Sequence, residues 1–400
     1  MKHKIMIIGA GFGGMWAAVS ATRLFNIHGY QDVEVTVLAP QAELRIRPRF
    51  YEPDAHTLVA PIDALFDALD IKFIQGTASS INVAEKSVAY RDASGMEQRV
   101  GYDKLVLASG SSLATPSIQG VAEYAFDVDQ LEQAVRLEQH LTSLASLAES
   151  KGRNTVVVAG GGFTGIETAT EMPARLRKIL GEQANIEVII VDRSTEIGAS
   201  MGAEISRSIA EACEALGVKW RLKSSVVAVD EHGVVLDDGQ RIEAKTVVWT
   251  TGVRADSLTS QIPGKQDALG RLHVDSNLAV TGQRDIYATG DVAYAATDDI
   301  GNHALMTCQH AIVMGRHAGN NVAAEILGIE PIAYRQPKYV TCLDLGQWGA
   351  VYTEGWNREV KLTRQEGKSL KTQINTVWIY PPAANREAAW AAADPLIPIA

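Results

Sequence analysis

The chain has 400 residues, 46% of them hydrophobic and 21% charged, with a formal net charge of −10; at ~150 residues per domain this length implies two or three domains. The balance supplies sizeable cores and excludes wholesale disorder, while the acidic surplus argues against a nucleic-acid partner, which needs clustered positive surface. Three widely spaced cysteines, Cys213, Cys308 and Cys342, form no CxxC pair and no even-numbered framework. That excludes disulfide scaffolds, zinc modules and dithiol chemistry as leading readings and points to a reduced, cytoplasmic protein.

The N-terminus mimics an export signal, with Lys2 and Lys4 before an uncharged stretch, but Gly9, Gly11, Gly13 and Gly14 interrupt the apolar run such a signal needs. No run of about 18 apolar residues occurs elsewhere, so no spanning helix is expected and membrane contact is peripheral at most. Residues 4–8 (KIMII) predict a strand buried on both faces, followed by the turn Gly9-Ala10-Gly11-Phe12-Gly13-Gly14 and an Ala-rich helix over residues 15–25. Residues 33–38, 71–74 and 104–108 read as further parallel strands, and residues 121–152 as a helical connection. The pattern then restarts with a strand at 154–159, a turn at 160–165, a helix, and a strand at 186–191. The two glycine clusters begin 151 residues apart, one domain length, so the spacing predicts two dinucleotide-binding units in one α/β chain. A helix is expected over 305–327, alternating strands from Pro331 onward, and a break at Pro381-Pro382.

A lone GxGxxG is weak evidence, because glycine is common at turns. Here Gly9, Gly11 and Gly14 lie between a buried strand and a helix, and Gly160, Gly162 and Gly165 repeat the arrangement. One glycine permits the tight turn, one lets the backbone approach a pyrophosphate, and one allows close helix packing, while the helix N-terminus offers free N–H groups to the phosphates. Asp192 ends the second strand of the second unit, 27 residues after Gly165. A carboxylate there accepts ribose hydroxyls and repels a 2′-phosphate, which favours NADH; Arg193 beside it works the other way and keeps NADPH open. The equivalent place in the first unit is Ala39, so the usual ribose contact is missing, with Gln41 or Glu43 as substitutes.

Other motifs fare worse. Gly198-Ala199-Ser200-Met201-Gly202 matches a nucleophile elbow but does not sit directly between strand and helix. His303, His310 and His317 recur every seven residues, roughly 10 Å along a helix, too far for two ligands of one metal ion. No GxxxxGK[ST] loop supports ATP chemistry.

Together these residues resemble the two-dinucleotide-fold flavoproteins, and within them the type II NADH dehydrogenase-like family. The resemblance covers roughly residues 4–355. It rests on the first glycine turn, residues 102–110 (YDKLVLASG), 160–171 (GGGFTGIETATE), 249–255 (WTTGVRA) and 286–293 (IYATGDVA). It implies FAD on the first unit, completed by Asp291, and NAD(P)H on an inserted second unit. The implied organisation is a flavin domain in two parts (1–118 and 256–330), a nucleotide domain (119–255) and a small C-terminal α+β region (331–400). The cofactor-binding candidates are Gly9, Ala10, Gly11, Gly13, Gly14, Ala78, Ala108, Gly110, Gly290, Asp291 and Gln309 on the flavin side. Gly160, Gly162, Gly165, Asp192 and Gly252 complete the set. Glu167 is the candidate for orienting the nicotinamide, with a helix-start carboxylate favoured by the dipole as the competing account. Gln309 is the candidate for contact with the flavin's pyrimidine edge.

The family's quinone-side helix begins Ala-Gln with further glutamines one turn on. Gln309 is kept, but Val313 and Met314 stand at the later positions, and the C-terminus (QINTVWIYPP, then a short Ala-rich end) lacks amphipathic apolar helices. Both departures point away from respiratory membrane quinone and toward water-soluble quinones or related acceptors. Cys308 and Cys342 read as packing residues. The expected activity is hydride transfer from NADH to flavin and onward to a small-molecule acceptor, in a chain compatible with a homodimer. A flavin-dependent tailoring reductase or monooxygenase and a non-turnover NAD(H)-binding redox sensor are the alternatives.

Overall fold

A computed structural model describes residues 2–114 and 117–397. His3–Ile8 is exposed at its first two residues and buried over the last four, as a strand covered on both faces requires. It is an inner strand, third in order, of a seven-stranded sheet. In spatial order the strands are Ile286–Ala288, Lys104–Leu107, His3–Ile8, Val33–Ala39, Lys72–Asn82, Ser87–Asp92 and Glu97–Gly101. The first five are parallel and the last two antiparallel. A second, four-stranded parallel sheet runs Val218–Arg221, Glu187–Val191, Thr155–Ala159, Thr246–Trp249. In each sheet the strand before a glycine turn has neighbours on both sides, so both turns leave the carboxyl edge where the strand order reverses, the place open α/β sheets bind ligands. The expected two Rossmann-like units are present.

All four strands of the second sheet lie, in sequence, between Lys104–Leu107 and Ile286–Ala288 of the first. The chain leaves through Ser111–Leu113 and returns through Val253–Ala255, and these two crossings pair antiparallel. The helix after the first turn, Phe12–Ile27, packs along Cys308–Leu327 with almost nothing between the backbones. A Cβ on Gly319 would stand 2.0 Å from Ala17 O, and one on Gly315 2.5 Å from Gly13 O. This close approach brings the start of the Cys308–Leu327 helix beside the first glycine turn.

The C-terminal region opens with the expected strands, Val340–Asp344, Ala350–Glu354 and Glu359–Leu362, in one antiparallel sheet. Beyond them come the helices of the expected α+β region, which the alternating-strand pattern did not place. Arg364–Gln373 is a helix, continued by a wider-wound turn at Ile374–Trp378, and Arg386–Ala392 is another helix. The first carries no apolar stripe because its buried residues are Gly367 and Lys371. Apolar periodicity cannot reveal a helix whose inward face is glycine and lysine. Val377, Trp378 and Leu396 are exposed here, and no helix among the described residues is long and apolar enough to cross a membrane.

Candidate active site at the two glycine turns

The two turns are near copies in geometry. Gly9 and Gly160 hold φ of +106° and +120°, which side-chain-bearing residues rarely adopt. The last glycine of each motif seals the helix onto the turn: a Cβ on Gly14 would lie 1.9 Å from Gly9 O, and one on Gly165 2.0 Å from Gly160 O. The middle glycines behave oppositely. A Cβ on Gly11 or Gly162 would meet nothing within 4 Å. Each of these glycines is the N-cap of its helix, and no side chain caps either terminus. Each turn therefore presents free space in front of uncapped N–H groups, the cradle a dinucleotide pyrophosphate needs. The residues present fit FAD at one turn and a nicotinamide nucleotide at the other.

On the nucleotide side, Asp192 Oδ2 accepts from Gly161 N–H at 2.7 Å, and Oδ1 accepts from Ser194 N–H at 2.7 Å and from the Ser194 hydroxyl. Burial works against its charge, but Ser194 and the Gly161 N–H hold its carboxyl below the ordinary range. Asp192 is thus a fixed anion at the turn, while Arg193 is exposed. Gly252 (φ +93°) sits at the return crossing, its carbonyl accepting from Ala114 N–H at 2.9 Å.

On the flavin side, Ala10 and Ala108 are buried at the first turn, and a Cβ on Gly9 would strike Ala108 O at 2.3 Å. Gly13 and Gly290 face each other across the turn, and the Gly110 carbonyl accepts from Asp256 N–H at 2.9 Å. Ala78 lies opposite Tyr90, three residues beyond Gln75, the partner of Ala39. Ala39 ends its strand buried. Of its suggested substitutes, Glu43 accepts from Arg45 at 3.0 Å and Gln41 from the Gln75 amide at 3.2 Å. Asp291 follows Gly290, and its Oδ2 accepts from the Ser111 hydroxyl at 2.6 Å and from Arg47 at 3.2 Å.

Glu167 lies one turn into the second helix, and the structure does not leave it free at the turn. It is 7% exposed, and its Oε1 accepts from Lys371 Nζ at 2.8 Å and from Asp344 N–H at 3.0 Å. Burial pushes the Glu167 carboxyl up, opposed by Lys371. Burial likewise works against the Lys371 charge, and Glu167, Cys342 and Asp344 together more than offset it, so its pKa is raised. Asp344 in turn accepts from Lys368 Nζ at 2.6 and 2.7 Å and from the Tyr51 hydroxyl at 3.2 Å. Gln309 exchanges two long hydrogen bonds, both 3.5 Å, with the Val340 backbone, tying the helix start to the C-terminal sheet. Lys371 Nζ also reaches the Cys342 carbonyl at 2.9 Å. Burial pushes the Cys308 and Cys342 thiols up to about 11, so both stay protonated near neutral pH, in keeping with packing roles.

One sequence expectation is corrected. Val313 and Met314 are 4% and 0% exposed and pack in the core. Their apolar character belongs to packing and carries no argument about the acceptor. Glutamines there would be buried polar groups.

His310, in the first turn of the same helix, is fully buried, with Nδ1 2.9 Å from the Thr307 hydroxyl and its ring stacked on Tyr339. Burial, with Arg271 adding, pushes its pKa down to about 4, so the imidazole is neutral near pH 7. As pH falls, the unfolded chain takes up this proton first. The corresponding stability is present above pH ~6.5 and lost toward about 4, amounting to ~3 kcal/mol. Melting temperature between pH 7 and 4 should therefore fall more steeply in the native protein than in His310→Gln; parallel curves would acquit this imidazole.

Sequence reasoning missed Arg47, Asp129, Asp344 and Lys371. None lies in a glycine motif, and their partners are distant in sequence: 204 residues separate Lys371 from Glu167 and 244 separate Arg47 from Asp291.

Comparison with known proteins fits this geometry. The sequence profile described as pyridine nucleotide-disulphide oxidoreductase matches residues 3–315. An NADH dehydrogenase-like protein of Mycobacterium tuberculosis is 40% identical over 386 residues, covering 95% of this chain and 94% of that protein. A type II NADH:quinone oxidoreductase of Staphylococcus haemolyticus is 26% identical over 80% of this chain and 82% of its own. Among solved structures, NDH2 of Plasmodium falciparum in complex with NADH superposes with a TM-score of 0.78 at 15% identity, covering 98% of both chains. The chain belongs to the pyridine nucleotide-disulphide oxidoreductase family and is an FAD-dependent enzyme that draws electrons from NADH.

Proposed function

We propose that this chain is an NADH:acceptor oxidoreductase whose acceptor is a small quinone-like molecule. Residues 1–118 and 256–330 form the flavin unit in this reading, and residues 119–255 the nucleotide unit. The observation that carries it is the pair of matching glycine turns, each with open space before an uncapped helix N-terminus. FAD, when bound, supplies the hydride acceptor and two-electron store that lets one site serve two substrates in turn. Gly11 and its helix hold the flavin pyrophosphate, and Asp291 the adjoining sugar chain. Gly162 and its helix hold the nucleotide pyrophosphate, and Asp192 selects the unphosphorylated ribose. Gln309, at the start of its helix, is the group placed toward the flavin. Behind it, Lys371 and Glu167 form a buried ion pair (9% and 8% side-chain exposure). The pair is neutral as a whole, but it anchors the Lys371 ammonium close to Cys308 at the helix start, a fixed dipole beside the place where negative charge develops on a reduced acceptor. The names of the relatives support quinone as the acceptor class.

Anaerobic reduction by NADH followed by acceptors added singly tests the reading. Rapid reoxidation by short-chain quinones is expected. Reoxidation only by oxygen or an aromatic co-substrate would favour a tailoring enzyme, and none at all a redox sensor. NADH should reduce the flavin faster than NADPH, and Asp192→Ser should narrow the gap by roughly tenfold, because the like-charge clash with a 2′-phosphate is removed. An unchanged ratio would release Asp192 from that role.

A further inference from the structure

Arg47 lies in the short turn Arg47–Arg49, outside both glycine motifs. Its guanidinium nevertheless joins three segments of chain. Nη1 donates to the Ser111 carbonyl at 3.3 Å, the Ser111 hydroxyl at 2.8 Å and Asp291 Oδ2 at 3.2 Å, while Nη2 donates to Asp129 Oδ1. The Ser111 hydroxyl donates to the same Asp291 oxygen, and the other Asp129 oxygen accepts from Leu113 N–H at 3.1 Å and the Gln130 amide at 2.9 Å. Ser111–Leu113 is the outgoing crossing to the second sheet, and it pairs with the returning crossing Val253–Ala255. One cation thus serves two nearly buried carboxylates, Asp129 at 9% and Asp291 at 15% side-chain exposure.

We propose that Arg47 is a positioning residue for hydride transfer, fixing through Asp129 and Ser111 the crossing that sets how the nucleotide unit lies over the flavin unit. Its hold on Asp291 Oδ2 also leaves Oδ1 as the free oxygen for the flavin side; that half rests on the flavin reading above, whereas the Asp129 half does not. The planar fork explains why arginine stands here. It reaches Ser111 and Asp291 from one nitrogen and Asp129 from the other, which a single ammonium cannot do with the same geometry. Without the cation, two carboxylates from different segments face each other beside the crossing, and the crossing loosens.

The test uses purified holoprotein carrying Arg47→Gln, Arg47→Lys, Asp129→Asn, or Arg47→Gln with Asp129→Asn. In Arg47→Gln the limiting rate of flavin reduction by NADH should drop tenfold to a hundredfold, the loss expected for about an ångström of misplacement, with the apparent NADH Kd within about twofold of wild type. The long-wavelength absorbance of nicotinamide stacked on flavin should weaken, and backbone hydrogen exchange should rise in residues 111–113 and 253–255. Arg47→Lys, which keeps the charge, should be intermediate and provides a folded variant if the glutamine protein collapses. Adding Asp129→Asn to Arg47→Gln should cost little more, since the link is already broken. A wild-type limiting rate with wild-type exchange in both Arg47 variants would overturn the proposal, as would a defect confined to NADH affinity. If the wild-type protein takes up no FAD, the flavin reading fails by itself. Exchange at the two crossings in cofactor-free Arg47→Gln still decides the Arg47 link.

Discussion

Gly165→Ala should yield a protein that is yellow but is no longer reduced by NADH, whereas Gly14→Ala should yield one that is colourless. The two substitutions are the same chemical change at equivalent places. A Cβ on Gly165 stands 2.0 Å from Gly160 O, and one on Gly14 stands 1.9 Å from Gly9 O. Both contacts are with backbone, so no side chain can swing away, and the helix must back off the turn. Overpacking of this kind typically costs about 1–3 kcal/mol, or roughly ten- to a hundredfold in affinity if the whole cost falls on the ligand-bound form. Retreat of the helix also withdraws the N–H groups that a pyrophosphate would meet. Flavin absorbance of the purified proteins and NADH titration of the yellow ones give the result. Flavin loss from Gly165→Ala with Gly14→Ala unaffected would exchange the two cofactor assignments.

Lys371→Met should be among the most destabilising single changes outside the glycine turns. It leaves the Glu167 carboxylate, 7% exposed, without the ammonium 2.8 Å away. Removing one partner of a buried pair costs about 3–5 kcal/mol, because the other charge remains desolvated. The sign of the pH dependence follows. With Lys371 gone, burial raises the Glu167 pKa further above its unfolded value, so the folded form binds the proton more tightly. Stability should be least impaired in acid and fall as pH rises through the unfolded and then the folded pKa. Adding Glu167→Gln should recover much of the loss. If the single mutant melts at the native temperature across this range, the pair has no structural weight. If it melts lower but accepts electrons normally, the pair belongs to the fold and not to the acceptor site.

What could be read from the sequence was what is local. Both glycine turns occupy six consecutive residues with a strand before and a helix after, so the physics of tight turning and phosphate approach is written in one place. Asp291 was legible for the same reason, standing in the short run IYATGDVA. The Glu167–Lys371 and Arg47–Asp129 pairs span 204 and 82 residues and leave no local pattern. Glu167 was found from its own motif, yet its partner was not, because the helix bearing Lys371 hides it behind glycine and polar residues. Val313 and Met314 misled for a different reason. Residues 310–315 of their helix are all buried, because the helix is enclosed by Phe12–Ile27 and the sheet. On a helix buried all round, an apolar residue does not mark which face meets a ligand.

The crossings that Arg47 holds also bear on how the chain assembles. Ile286–Ala288 must find Lys104–Leu107 across every residue of the four-stranded sheet. For an open chain this is a long loop to close, and long-range strand pairing of this kind is slow. Once the inserted unit has folded, Ser111–Leu113 and Val253–Ala255 lie side by side, and Gly110 and Asp256 are joined by a 2.9 Å hydrogen bond. The loop to be closed then shrinks to residues 108–110 and 256–285, a saving of ~1.5 kcal/mol in loop entropy when the last parallel strand takes its slot. The inserted unit is, in this sense, an assembly clamp for the sheet that surrounds it in sequence, and slowing its folding should delay completion of the flavin cradle.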